Sequence, residues 1–265
     1  VGNYALEQCT TGAENVAIGY YSMKDATTAQ YNTAVGEQSL ENITTGDRNV
    51  AIGNGCLNAN STGSYNTALG TGALQSYTGG SNTAIGYDCL TNCSTGGSNT
   101  AVGYHAGEQI TTGSENVLMG IVAGDEITTA IQNTAIGSDA LGANQTGNYN
   151  TAVGKGALQV NTTGQNTAVG RSALGSNTTA SNQVAVGYNA MQATTTGAAN
   201  TAVGWQAMTN NTTGFNNCCL GQQTMQYQTT GAYNVAVGDR ALMSNTTSDR
   251  NVALGAFALY TFNRT

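Results

Sequence analysis

The chain has 265 residues, 36 of them glycine and none proline, with 14 acidic, 7 basic and one histidine. Only 8% of residues are charged, and three phenylalanines and one tryptophan are too few for an ordinary globular interior, so a conventional enzyme is not expected. A formal charge of −7 argues against a nucleic-acid partner, which needs clustered Lys and Arg, and no apolar run approaches the ~20 residues that span a bilayer.

The N-terminus lacks a basic-then-apolar signal pattern. No membrane insertion is therefore expected.

Internal repeats organise the whole sequence. With the Asn of the recurring NTAVG or NVAIG taken as position 1, coils begin at Asn15, Asn32, Asn49, Asn66, Asn82, Asn99, Asn116, Asn133, Asn150, Asn166, Gln183, Asn200, Asn217, Asn234 and Asn251. The step is 17 residues twelve times and 16 residues twice. Both short steps, at Ser81 and Gln165, lose a residue just before the next position 1. That segment must be a turn, since a deletion inside a strand would invert every face after it.

The consensus is NTAVGxxALxxNTTGxx. Position 5 is glycine in every repeat, from Gly2 through Gly120 to Gly255, which predicts positive φ or a close approach of backbones. Position 15 is usually glycine, with Ala29, Ala130, Ala180 and Ser248 in its place. Between these corners the segments Thr/Val-Ala-Val/Ile, Ala-Leu and Thr-Thr read as very short strands, too short for a helix. The expected fold is all-β, a β-solenoid (β-roll or β-helix) of about fifteen 17-residue coils, forming one repeat domain over 1–265. At ~4.8 Å per coil it would be a rod on the order of 70 Å long. Lack of proline fits, because every coil must donate and accept ladder bonds.

Positions 2 and 4 share one face of their strand and position 3 takes the other. Position 4 is always Val, Ile, Leu or Met, as at Ile18, Val35, Ile52 and Val153, and is the predicted core. Position 9 is its predicted partner, with Leu40, Leu57, Leu74, Leu141, Leu158, Met191 and Leu242. Gly107 and Gly124 break that column, and the same repeats carry Ile110 and Ile127 at position 12, as volume compensation would require. Position 3 is small, as at Ala17, Ala34, Ala51 and Ala202, except at Leu118. A line of alanines facing away from the core would suit contact with another copy. Two or three large apolar groups per coil must offset the ordering of 17 residues, so a parallel homotrimer is expected to supply the balance.

The run NTAVGKGALQVNTTG, Asn150 to Gly164, resembles the 17-residue repeats of phage and bacterial tail fibre domain proteins, and this resemblance covers the chain. The pentapeptide NVAIG at Asn15–Gly19 and Asn49–Gly53 is also similar to the 14-residue head repeat of trimeric autotransporter adhesins. Both resemblances imply a β-roll or β-helix, commonly trimeric, in host or surface attachment, located in a virion tail fibre or at a cell surface. The C-terminal self-cleaving chaperone domain that often follows such repeats does not appear in this sequence. The chain opens and closes inside a coil without an atypical capping repeat, which reads as an excerpt of a longer fibre.

The position-1 side chains, among them Asn32, Asn49, Asn66, Asn150 and Asn200, form a candidate polar ladder in which each amide donates to the next coil. The alternative is a ligand-binding row. Triplets such as Asn161-Thr162-Thr163 and Asn245-Thr246-Thr247 match the glycan acceptor pattern, but their recurrence at one turn points to a structural repeat. Position 6 carries Tyr20, Tyr87, Tyr104, Tyr188 and Trp205, candidate contacts for a sugar ring; position 17 carries Tyr31, Tyr65, Tyr149 and Tyr233.

Neighbouring coils never present Cys at one position. Cys56 and Cys89 are two coils apart, ~9.6 Å, beyond disulfide reach. Buried thiols are the expected reading of the six cysteines, and no metal or other cofactor is expected. Glu108, Glu115, Asp125 and Glu126 read as solvated turn residues rather than a catalytic pair, and no catalytic motif is present.

Three functions remain: a structural fibre segment that is a shaft with host contact, a glycan-binding surface adhesin, and an ice-binding solenoid. The last ranks lowest because its threonine row at position 2 is interrupted by valine. Partners are thus the chain itself, further fibre segments, and a cell-surface glycan or receptor.

Overall fold

The computed structural model describes residues 1–261, and among these the protein is all-β with no helix. It is a parallel β-solenoid in which each repeat makes one coil. The chain divides into two compact units, Val1–Gln132 and Asn133–Thr265, and each is described by itself.

The first unit contains β1 (Val16–Ile18), β2 (Thr33–Val35), β3 (Val50–Ile52), β4 (Thr67–Leu69), β5 (Thr83–Ile85), β6 (Thr100–Val102) and β7 (Val117–Met119). Each pairs in parallel with the next, position for position, so Val16, Ala17 and Ile18 lie beside Thr33, Ala34 and Val35. The second unit contains β8 (Thr134–Ile136), β9 (Thr151–Val153), β10 (Thr167–Val169), β11 (Val184–Val186), β12 (Thr201–Val203), β13 (Cys218–Leu220), β14 (Val235–Val237) and β15 (Val252–Leu254), stacked in the same way. Register survives both 16-residue coils: Ala68 faces Ala84 and Ala152 faces Ala168. The deletions therefore fall in turns, as expected.

Only positions 2–4 form a strand. The Ala-Leu and Thr-Thr segments, expected as strands, are chained turns and bends. In the first turn of a typical coil the N–H of position 8 donates to the carbonyl of position 5 (Ser22 to Gly19, 3.3 Å), and that of position 10 to position 7 (Lys24 to Tyr21, 3.3 Å). Such a turn takes positive φ at its third residue, the requirement of a type II turn. Positions 7 and 9 meet it, with Tyr21 at 56° and Met23 at 50°, and position 17 adds a third left-handed residue. At positions 13–15 three successive N–H groups converge on one carbonyl of the next coil: Thr10, Thr11 and Gly12 all donate to Thr27 O at 3.1 Å. The Thr10 hydroxyl donates to the same oxygen at 3.0 Å.

The core lies on the opposite side of the strand from the expected one. Position 3 is buried throughout, as at Ala34, Ala51, Ala152 and Ala202, while position 4 faces outward, with Ile18 46% and Leu220 51% exposed. The physical reason is the bore of the coil. Position 9 is buried as expected, from Leu40 to Leu242, and with position 8 and position 12 it fills the interior opposite the strand. A methyl group is what fits between. The alanine line consequently cannot carry contact with another copy, and the homotrimer expectation is left resting on the small apolar content of each coil alone.

The exceptions fit one another. Leu118, the one large position-3 residue, fills the space left by Gly107 and Gly124: a Cβ on Gly107 would lie 2.7 Å from Leu118 Cδ1, and one on Gly124 2.8 Å from Leu118 Cδ2. Ile110 and Ile127 are fully buried beside them. Tyr77, fully buried in a 16-residue coil, spans the shortened turn and donates its hydroxyl to Gly80 O at 2.8 Å.

Position 5 is constrained twice. Its glycines have φ between +113° and +146°, and a Cβ on Gly36 would stand 2.3 Å from Gly53 O. Gly36→Ala should destabilise the fold by about 2–3 kcal/mol, whereas Gly46→Ala, whose Cβ would also stand 2.3 Å from a carbonyl, that of Gly63, but whose φ is not positive, should cost less, since other coils hold alanine at that position. Denaturant melts of the two variants check this. Leu118→Ala should cost about 3 kcal/mol by opening a cavity, and Gly107→Ala should be less harmful in that background than alone. A double-mutant cycle measures the coupling.

Candidate functional site

Four groups of side chains could carry function: the asparagine ladder, the outward strand face, the corner aromatics and the cysteines. The ladder is interior. Asn32, Asn49, Asn66, Asn150 and Asn200 are all buried, so none can meet a ligand. Their role is to join coils. Asn32 Oδ1 accepts the backbone N–H of Asn49 at 2.9 Å and its Nδ2–H at 3.0 Å, while Asn49 Nδ2 also donates to Gly63 O at 2.9 Å. Asn66 repeats the pattern on Asn49, Asn150 accepts the N–H of Asn166, and Asn200 bonds Asn217. Gln183 keeps the rung with its longer side chain, accepting from Asn200 N at 3.1 Å.

Position 12 forms a second internal row. Asn60 receives the N–H of Gly63 at 2.8 Å and donates to the same residue's carbonyl at 3.0 Å, closing its own turn. Asn161 and Asn245, the candidate glycan acceptors, are fully buried with their amides donating to Thr163 O and Ser248 O. These triplets are structural.

The aromatic residues of position 6 are exposed at a corner: Tyr20, Tyr87, Tyr104, Tyr188 and Trp205. A sugar platform needs a free ring face with polar neighbours. Tyr87 and Tyr104 instead stack on each other, 5.6 Å apart and 12° from parallel, so each covers a face of its neighbour. Tyr104 also lies 4.0 Å from the ring of His105, and Tyr20 lies 4.0 Å from that of Tyr21. Tyr188 carries the Arg171 guanidinium at 5.9 Å. At position 17, Arg48 is held between Tyr31 and Tyr65, at 5.0 and 5.7 Å. Rings in successive coils mainly meet one another and arginine.

The lone histidine, His105, pairs through Nδ1 with Glu108 at the surface of a turn. Glu115 and Glu126 are exposed, consistent with solvated turns. Among the described residues, no group of three or more His, Cys, Asp or Glu side chains could hold a metal ion, and no helix is long and apolar enough to cross a membrane.

The strand face holds the residues that sequence reasoning placed in the core. In each coil position 2, Thr or Val, and position 4, an aliphatic residue, point outward and are at least partly exposed. Cys218 replaces Thr or Val in this face and is exposed, a departure from the expectation of six buried thiols. Cys56, Cys89, Cys93 and Cys219 are buried, and Cys9 is half-buried. Cys9 and Cys93 stand in for the position-12 asparagine, their thiols donating to Gly12 O and Gly96 O.

Comparison of the chain with protein-family models, curated proteins and solved structures found no match.

Burial pushes the Cys56 thiol up to about 11 and those of Cys89 and Cys93 up to about 12, and also raises Cys219. An ordinary thiol titrates near ~8.5, so above that pH the unfolded chain loses protons that the folded chain keeps, and stability falls with rising pH. Denaturation midpoints measured between pH 8 and 10.5 should decline. Replacing these four cysteines with Ala should flatten that decline. In dilute native protein a thiol reagent should modify Cys218 first, and the four buried thiols only on unfolding.

Proposed function

We propose that the chain is a structural segment of a fibre, a shaft belonging to a virion tail fibre or another extracellular appendage. The observation that carries this reading is bonding of each coil to the next at every part of its circumference. The strand supplies ladder bonds, position 1 a side-chain rung, and positions 13–15 a cluster of donors on one carbonyl. A scaffold of this kind gains length by adding coils, each stabilised by its neighbour.

The residues with catalytic potential support this reading, since the carboxylates sit in turns and the single histidine is engaged with Glu108. The wording of the repeat, similar to tail fibre domain proteins, points the same way. Contact with a host glycan or receptor would fall first to the exposed ring of Trp205.

The purified chain should appear in negative-stain electron microscopy as extended particles of uniform narrow width. Compact globules would overturn the fibre reading. On a glycan array, saturable binding abolished by Trp205→Ala would add attachment to the shaft role.

A further inference from the structure

We propose that the interior of the coils begun by Gln183, Asn200 and Asn217 is a binding site for a file of two water molecules, held by a row of buried side-chain oxygens at position 12. The site lies within the second unit and stands whether or not the chain is part of a fibre.

Among the described residues five buried side-chain polar atoms have no hydrogen-bond partner, and three of them fall in one row: Thr194 Oγ1, Asn211 Oδ1 and Gln228 Oε1. They belong to the position-12 residues of three successive coils, each fully buried. Three such atoms in one row call for one cause.

Elsewhere in the row these oxygens are served by the chain itself. Asn60 and Asn144 accept the N–H of Gly63 and Gly147 at 2.8 and 3.0 Å, and Asn161 Oδ1 accepts from Asn177 Nδ2 in the next coil at 2.9 Å. At Asn211 neither kind of donor is free. The Gly214 N–H is directed to Thr229 O at 3.3 Å, while Asn211 Nδ2 and Gln228 Nε2 donate to the carbonyls of Gly214 and Gly231 at 3.0 and 2.5 Å. Those two bonds fix which way each amide points, because turning either over would set oxygen against oxygen. Thr194 brings no amide, and the Gly197 N–H goes to Thr212 O at 3.4 Å.

Spacing selects water. Equivalent groups one coil apart stand ~4.8 Å from each other, too far for a direct bond and the span that one water covers with two bonds of ~2.8 Å. A water between the first two coils takes the Thr194 hydroxyl proton and donates to Asn211 Oδ1. A second donates one hydrogen to Asn211 Oδ1 and the other to Gln228 Oε1. An amide oxygen has two lone pairs, so Asn211 serves both. Composition makes the room: Thr194 is shorter than the Asn177 of the coil before it, and Met191, Met208 and Met225 replace the usual Leu at position 9 in these same three coils. Unbranched side chains adapt to a guest.

Charge rules out a cation in this row. No Asp, Glu, Lys or Arg is among the buried residues, and a hydroxyl with two neutral amides neither supplies the six or so oxygens a hard cation takes nor offsets its burial.

The test counts long-lived internal waters by magnetic relaxation dispersion of the water oxygen, wild type against a variant combining Thr194→Ile, Asn211→Ile and Gln228→Ile. Isoleucine is already buried at position 12 in Ile43, Ile110 and Ile127, so the coil accommodates it. The variant should hold about two fewer waters than wild type, with unchanged circular dichroism. Should it fail to fold, the isosteric Thr194→Val removes a single hydroxyl and should lower the count by about one. A count that the folded variant leaves unchanged would overturn the proposal. So would a wild-type melting midpoint that climbs in potassium or sodium chloride relative to choline chloride at equal concentration and ceases to climb in the variant, since the row would then hold a cation.

Discussion

The constraint on which the structure depends is the close approach of successive coils at position 5. There the backbones of neighbouring coils come near enough that a Cβ would overlap the next coil's carbonyl, and φ is positive besides. Glycine alone meets both conditions. That approach sets the register of the strand before it, keeping Ala beside Ala, and it lets the asparagine at position 1 reach the N–H of its counterpart one coil away. At position 15 the carbonyl of the next coil is as close, 2.3 Å from a Cβ on Gly46, but φ is not positive, and there alanine and serine enter.

The small bore of each coil decides which side chains go in. With position 9 crossing the interior from one wall, the strand opposite has room for a methyl group, and Ala at position 3 is the consequence. The core is therefore modest in apolar volume, and much of the cohesion resides in bonds directed from one coil to the next. Each coil orders its polar groups by its neighbour: Ser39 donates to Ala51 O, Thr44 to Ser61 O, Asn42 to Asn58 O. The left-handed residues at positions 7, 9 and 17 each cost about 1 kcal/mol or more, and they persist because the turns they form aim their amides at the adjacent coil.

The period, the single winding per repeat, the parallel stacking, the glycine corner and the turn location of both deletions were legible in the sequence, because all of them depend only on recurrence. Facing was not. In a triplet such as Thr33-Ala34-Val35 alternation is compatible with either side inward, and the ordinary preference for burying the larger apolar group favours the wrong one. Distance between the walls decides, and distance is invisible in a repeat. The left-handed leucines were also missed, since branched and bulky residues rarely take positive φ. A signal existed: glycine replaces the usual residue at position 7 in Gly55, Gly72 and Gly156 and at position 9 in Gly107 and Gly124, all with φ between 57° and 70°. Scattered glycines at two fixed positions mark a conformational demand, whereas Gly107 and Gly124 by themselves read only as a change of volume.

Residues of the interior answer to their neighbours, as Leu118 does to Gly107 and Gly124, so their identity needs no outside cause. Outward residues are released from that demand, and the repeat shows what release permits. Position 14 is exposed and holds threonine in Thr28, Thr45, Thr62, Thr95 and Thr112, a polar choice that water alone accounts for. Position 4 is outward in the same coils, at Ile18, Val35, Ile52, Ile85 and Val102, yet is aliphatic in every one. Strand propensity would accept threonine there as readily as valine, and position 2 uses it freely. These side chains lie on the solvent side of the strand, partly exposed, so the narrow bore that limits position 3 to a methyl group places no limit on them.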